Sequence, residues 1–505
     1  MPAPLSLVLD VAPDDVVRLK NHPLIRGLAS GRPVTRRTRT VYYDTADLAL
    51  RRRRLSVYVN QAAQPSSETA EAPPLPLEDH RDGALDVSQV ADPGLRDALA
   101  ELPPDSPLQA VFDSTIERTT RLLRPSDDSR IRLELEVGTL RGKSGELPIS
   151  RLDLGLEAGN PRRLFDFVRE LQRSVPLRLA SQTDGERGYA LVAGAEPRAV
   201  RAVSVELEPT MTVDSVLERV IRGCLEHLVG NESAVLDAWL PEGVHQMRVA
   251  MRRLRSALSL FRKVLPEAQD RWIRDETRWL AGVLGEARDW DVFLAETLPP
   301  AEAALPGQPG FVRLRGLAEV ERTEAYERVR IALRSERYAV LLVELRAWLE
   351  ASGWREQRVS EHSADLFAPI GQVAGRLIET RRRKTLKRGD DLMALSPPAR
   401  HEARKDVKKL RYAFEFFHSI YSGKKVKHFS RDLTKLQEGL GRLNDAETAR
   451  RLLAALAERE GGREPDAVLT AGLVTGWYAA LAERSIGKLD KAWARLHDQK
   501  PFWIA

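Results

Sequence analysis

The sequence predicts an α+β multidomain fold, with a β-rich N-terminal part followed by an all-α domain of two tandem helical bundles related by a pseudo-two-fold axis. Three observations carry this expectation. Apolar and polar residues alternate with period two up to about residue 202, the period becomes helical from about residue 212, and the helical part repeats itself. At about 150 residues per domain, 505 residues suggest two to four compact units. A hydrophobic content of 43% is enough for a buried core and excludes a disordered or collagen-like chain.

The strand-like runs are SLVLDV, TVYYDT, RLSVYVN, IRLELEVGTL and SRLDLGLEA. Residues 161–174 (PRRLFDFVRELQRS) read as a helix opened by Pro161 after Asn160 as N-cap. A Pro/Ser/Glu/Ala-rich stretch over 61–101 reads as a long flexible loop. In the second part, breaks at 240–243, 305–310, 388–398, 421–425 and 461–466 separate amphipathic segments of helix length. The expected domains are 1–203 and 204–505, the second made of copies at about 212–355 and 362–505.

Cys224 is the single cysteine, which excludes an internal disulfide or a Cys-rich metal site and fits a reducing cytoplasm. The first residues, MPAPLSLVLDVAPDD, lack a basic segment followed by an apolar one, so no secretory signal is expected. No run of 18 apolar residues occurs, and no membrane helix is expected. The reading is of a soluble, cytoplasmic protein.

Charge is unevenly spread. Residues 376–428 hold sixteen Lys/Arg against six Asp/Glu, a net of +10, which leaves −4 on the rest of a chain whose total is +6. A basic island in a slightly acidic chain is the pattern of a polyanion binder, although an ordinary charge run is a solvated helix face.

The repeat has an offset of 156 residues. HQMRVAMRRLRSALSLF from His245 matches HEARKDVKKLRYAFEFF from His401, and the same register pairs Leu280 with Leu436, Gly285 with Gly441, Asp289 with Asp445 and Asp291 with Glu447. At about 100° per residue, Met247, Met251, Leu254, Leu258 and Phe261 share an apolar face, matched by Ala403, Val407, Leu410, Phe414 and Phe417. His245, Arg248, Arg252 and Arg255 form a second stripe, repeated as His401, Arg404, Lys408 and Arg411. Four such groups in a column about 15 Å long repel one another unless an anion sits among them. Both stripes start near a helix N-terminus, marked by Pro241 and by Ser396-Pro397, where free N–H groups favour phosphate. Either histidine alone reads as a capping or core residue; the repetition of the stripe points to anion binding.

The two His/Arg helices, together with LGEARDWDVFL (284–294) and LQEGLGRLNDAET (436–448), resemble the two signatures of CHAD domains, over roughly residues 204–505. The resemblance implies two helical bundles around a basic channel or groove, binding of inorganic polyphosphate, and association with polyphosphate granules and their proteins. The polyphosphate-binding set it suggests is His245, Arg248, Arg252, Arg253, Arg255 and Arg262 from the first copy, with His401, Arg404, Lys405, Lys408, Lys409 and Arg411 from the second. Arg382, Arg383 and Lys387 in RRRKTLKR (381–388), and His428, complete it; a solvated loop is an equal reading of 381–388.

The first part is similar to CYTH (triphosphate tunnel) domains in TVYYDTADLALRRRRLSVYV, ISRLDLGLEAGNPRRLFDFVREL and LRLASQTDGERGYAL. That resemblance implies a β-rich tunnel or barrel-like domain. Its catalytic form holds a divalent metal and a triphosphate with E-x-E-x-K and E-x-E-x-E strands. Here Pro4, Ser6 and Val8 stand at the first motif, and Arg151, Asp153 and Gly155 at the second. Asp184 stands where a lysine is usual, while Arg37, Arg39 and Arg52 remain. Catalytic residues, a metal and cofactors are therefore not expected. Two other functions stay open. One is a metal-dependent triphosphatase using Glu134, Glu136, Asp153 and Glu157 in an altered site, against solvated strand faces. The other is nucleic-acid binding by the basic face, which offers only Tyr412 for base stacking, opposite Ser256 in the other copy. For Asp289, Asp291, Asp445 and Glu447, salt bridges to neighbouring arginines are expected rather than a metal site.

Overall fold

The computed structural model describes residues 5–53, 55–62, 97, 99–102, 107–126, 128–194, 197–356, 361–390, 392, 394–460 and 464–503. Nearly all of the expected loop at 61–101 lies outside the described residues. The chain groups into two compact units, 1–197 with 336–351, and 198–335 with 352–505.

The first unit is built on one antiparallel sheet of seven strands: β1 (Ser6–Val11), β2 (Ala29–Asp44), β3 (Val57–Ala62), β4 (Gln109–Ser126), β5 (Ser129–Gly142), β6 (Gly145–Ala158) and β7 (Leu177–Leu179), in the order β3-β2-β4-β5-β6-β1-β7. The period-two runs fall on β1, β2, β3, β5 and β6. The sequence pattern missed β4 and the first half of β2, because polar TRRTR and IERTTR stretches pair there across the sheet, with Thr35 opposite Thr119 and Arg37 opposite Glu117. Cross-strand pairing, rather than an apolar face, makes these segments strands.

One face of the sheet is covered by helix α1 (Pro161–Gln172). Pro161 opens it, and the Asn160 side chain accepts a hydrogen bond from the Arg162 N–H at 3.0 Å, as the sequence predicts. Its apolar residues recur three and four apart, so Leu164, Phe165, Val168 and Leu171 all point at Leu7, Leu9, Leu152 and Leu154. A second helix, α2 (Asp184–Ala193), is started by a reciprocal Thr183/Glu186 cap and sets Tyr189 against Phe112, Leu140 and Ile149. Gly188 has to be glycine, because a Cβ there would overlap the Phe112 ring.

The longer of the remaining helices are α3 (Val213–Val229), α4 (Pro241–Leu260), α5 (Glu267–Val292), α6 (Gly310–Arg334), α7 (Glu336–Glu350), α8 (Ile370–Arg388), α9 (Pro397–Phe417), α10 (Lys424–Glu460) and α11 (Pro465–Asp498). Helix α7 lies within the helical half of the sequence but belongs to the first unit. There Val343 and Ala347 join the α1 core, and Glu344 accepts from Arg169 at 2.9 Å.

In the second unit the element bounds recur at the 156-residue offset. Helices α3, α4, α5 and α6 correspond to α8, α9, α10 and α11, and a 3-10 turn at Arg262–Val264 corresponds to one at His418–Ile420. Buried positions follow the same register in the last pair. Phe311, Leu314, Ala318 and Leu333 match Ala467, Thr470, Val474 and Leu489.

Phe165 is fully buried between α1 and the sheet. Phe165→Ala should lower the stability of the first unit by about 3–5 kcal/mol, read as a shifted denaturant midpoint at unchanged m-value.

Candidate functional site: a basic cavity in the helical unit

The apolar faces of α4 and α9 are buried along their whole lengths. Met247, Met251, Leu254, Leu258 and Phe261, and their counterparts Ala403, Val407, Leu410, Phe414 and Phe417, are each at most 3% exposed. Burying these faces fixes the rotation of both helices and so decides where their basic stripes point. Phe261 and its counterpart Phe417 meet edge to face, 6.1 Å apart.

On the polar side, Arg248 and Arg252 from α4 and Arg404 and Lys408 from α9 line a single cavity of about 180 Å³, together with His245 and Arg288. Asp289 and Asp445, equivalent positions on α5 and α10, line it as well. A π-helical turn at Phe293–Thr297 continues α5 and contributes Phe293 and Thr297 to the wall. A second cavity, of about 410 Å³, shares Arg248 and Asp289 with the first.

The electrostatics of this cluster are strained. Burial, reinforced by Arg404, Arg252 and Arg248, pushes the Lys408 amine down to about 7. Burial, with Arg288 next, likewise lowers His245. The Arg252 and Arg404 Nε groups are buried and have no hydrogen-bond partner among the described residues. Some relief comes from carboxylates. Asp289 accepts from Arg451 at 2.8 Å and lies 4.0 Å from Arg248, and Asp445 faces Arg404 and Lys408. Burial nevertheless holds the Asp445 carboxyl above its ordinary range. Arg248 can lie this deep because Gly285 has no side chain; a Cβ there would collide with its guanidinium. The cavity thus holds more cations than anions, and two of its buried guanidinium N–H groups have no partner among the described residues.

A family model described as the CHAD domain matches residues 219–454. A crystal structure of the CHAD domain from the plant Ricinus communis is 32% identical and superposes with a TM-score of 0.52, covering 60% of this chain and 98% of that one. The chain belongs to the CHAD domain family. An uncharacterized protein of Mycobacterium tuberculosis (strain CDC 1551 / Oshkosh) is 30% identical over 304 residues, 57% of this chain and 56% of its own length. The inorganic triphosphatase of Haemophilus influenzae is 33% identical over 88 residues, 17% of this chain and 25% of its own. The chain thus spans little more than half the length of the mycobacterial relative it matches. No described helix is long and apolar enough to cross a membrane.

Within the CHAD domain, the structure gathers His245, Arg248, Arg252, Arg404 and Lys408 and leaves the other sequence candidates elsewhere. His401 hydrogen-bonds Asn444 at 2.8 Å and lines an adjoining cavity. Arg255, about 80° round the helix from His245 at 100° per residue, has Arg278 and Arg274 as charged neighbours. Arg253 lies 3.6 Å from Glu415 and over the Phe416 ring. Lys405 pairs with Glu402, Lys409 with Asp406, and Arg411 with Glu415. The 381–388 segment is the end of α8 rather than a loop. There Arg382 donates to the carbonyls of His497 and Gln499, Arg383 pairs with Glu379, and Lys387 is exposed. Arg262 and His428 are exposed. Ordinary ion pairs therefore account for much of the basic island. Sequence reasoning missed Arg288 and Asn444, although they stand at equivalent positions one residue before Asp289 and Asp445. As expected, Asp289, Asp291 and Glu447 pair with arginines, namely Arg451, Arg322 and Arg450. Among the described residues no cluster of three or more His, Cys, Asp or Glu could hold a metal.

The first unit also shows what became of the triphosphatase-like positions. Register pairs Ser6 with Gly155, Val8 with Asp153 and Asp10 with Arg151, so the two motif strands lie side by side; Pro4 is outside the described residues. Arg151 is buried and bonds Asp184 at 2.6 Å and Asp10 at 3.2 Å. Glu136 pairs with Arg118 and Glu134 with Arg132, Asp153 accepts from Ser6, and Glu157 is exposed. Arg39 pairs with Asp113 and Arg52 with Asp47, while Arg37 is exposed. These side chains fit a divalent ion poorly, because Glu134 and Glu136 are engaged by arginines and Arg151 stands at the second motif, paired with Asp10 and Asp184. Arg151→Glu should destabilise this unit by about 3 kcal/mol, and adding Asp184→Lys should restore most of the loss in denaturant titrations.

Proposed function

We propose that this CHAD domain binds inorganic polyphosphate without turning it over, and through it associates with polyphosphate granules. The convergence of two cations from each of the equivalent helices α4 and α9 on one cavity carries this reading. Arginine forks contact successive phosphates, and a phosphate chain relieves the mutual repulsion of Arg248, Arg252, Arg404 and Lys408. A pseudo-two-fold axis between the two copies is part of the proposal. It is supported by the contact of Phe261 with its own counterpart Phe417, since a residue meets its equivalent only near such an axis. The similarity to an inorganic triphosphatase covers 17% of the chain, and the paired carboxylates of the first unit argue against carrying hydrolysis over.

Polyphosphate should bind the wild type tightly and the folded Arg252→Glu/Lys408→Glu variant at least about a hundredfold more weakly, with circular dichroism as the folding control. Equal binding by the two proteins would remove the cavity from the function. Affinity should also fall steeply with salt, as it does for other phosphate polyanions.

The pH dependence follows from Lys408. In the free protein its amine loses a proton near pH 7. A bound phosphate chain neutralises the surrounding arginines, favours the charged amine and draws its pKa up. Binding therefore takes up protons above pH 7, and affinity falls as pH rises from 7 to 9. His245, held below its ordinary value, adds a further gain only at lower pH. Lys408→Arg should flatten the 7-to-9 limb; a wild-type affinity unchanged over that range would contradict this account.

A further inference from the structure

The two copies of the repeat differ at one place in a way that bears on the ligand. Beside the basic cavity, α9, α10 and α11 line an open cavity of about 550 Å³ with an apolar floor that includes Leu440, Leu443, Ala446 and Ala482, and with Glu402 and Glu447 among its polar residues. At the 156-residue offset, Ala446 stands where the first copy has Trp290, and Ala482 where it has Tyr326. Those two aromatic rings are 3% and 2% exposed, and Tyr326 also stacks on Trp239. The first copy thus fills these positions with planar side chains, whereas the second leaves two alanines. The two alanines keep open a space that aromatic residues close in the other copy.

The open space connects to the polyanion site. Arg404 and Asn444 line both cavities, and His401, Arg400 and Arg450 line the apolar one. Arg450 replaces Leu294 of the first copy and pairs with Glu447 at the rim. The volume falls in the range of small-molecule sites, which combine an apolar lining with a few directing polar groups. A group seated here has to be planar and apolar, to match the missing rings. It also has to carry a phosphate chain that runs past Arg404 to Lys408 and Arg252.

We propose that the second copy holds a nucleoside polyphosphate, with its base in the cavity between α9, α10 and α11 and its phosphates in the basic cavity. This rests on the polyanion reading of the basic cavity and adds an organic end group to it. His401 and the arginine guanidinium planes supply stacking surfaces for the base.

The test compares adenosine 5′-tetraphosphate with inorganic tetraphosphate by calorimetry at fixed salt. The wild type should bind the adenosine compound about tenfold more tightly although it carries less charge, as expected for one stacked base. Ala446→Trp/Ala482→Tyr, which copies the chain's own first half, should abolish that advantage and leave inorganic tetraphosphate binding unchanged. Should the double variant lose its helical circular dichroism, Ala479→Leu serves as the smaller obstruction. Equal affinity for the two ligands in the wild type, or an advantage that survives in a folded filled variant, would overturn the assignment while leaving polyphosphate binding intact. Binding of the adenosine compound alone, with neither inorganic tetraphosphate nor long polyphosphate bound, would support the cavity and overturn the inorganic reading.

Discussion

The repulsion among Arg248, Arg252, Arg404 and Lys408 is the constraint on which the helical unit turns. Left to themselves, these cations would spread into solvent, as lysines and arginines on helix surfaces do. They stay together because α4 and α9 bury continuous apolar faces, so rotating either helix to separate the charges would expose a row of core side chains. Asp289 and Asp445 offset part of the charge, and Gly285 clears the space Arg248 needs. The unrelieved remainder shows in the depressed amine of Lys408 and in the buried Nε groups of Arg252 and Arg404.

Repetition multiplies a modest feature. One stripe of His, Arg, Arg on one helix is an ordinary solvated face. Its recurrence on a helix that packs beside the first brings cations from both helices into one cavity. The two segments differ at several equivalent positions. The first closes its flank with Trp290 and Tyr326 and buries Asp291 under Tyr326 and Arg322, whereas the second keeps alanines and an exposed Glu447–Arg450 pair.

The sheet unit shows the opposite course. At the two positions where the triphosphate-tunnel resemblance implies a carboxylate and a lysine, this chain has Arg151 and Asp184, which pair with each other. A buried charge without its partner is strongly destabilising, which gives such sites a reason to change in pairs. With Glu136 on Arg118 and Glu134 on Arg132, the remaining carboxylates serve the strands that carry them.

The sequence by itself determined the order of a β-rich and a helical part, five of the breaks between helices, the 156-residue register and the two basic stripes. Each of these is written in local periodicity or in self-similarity. It could not determine which cations share a cavity, because a stripe three to four residues apart fixes only a helix face and not what lies opposite. Arg255 and Arg411 satisfy the same spacing as Arg252 and Lys408, and ion pairs with Glu415 or a few tens of degrees of helix rotation take them elsewhere. Strand β4 was hidden for a related reason, since its polar residues are held by neighbours on both sides that lie far away in sequence. The membership of α7 in the sheet unit and the open space beside Ala446 and Ala482 were likewise decided by tertiary packing, because burial depends on what faces a residue and not on its neighbours in the chain.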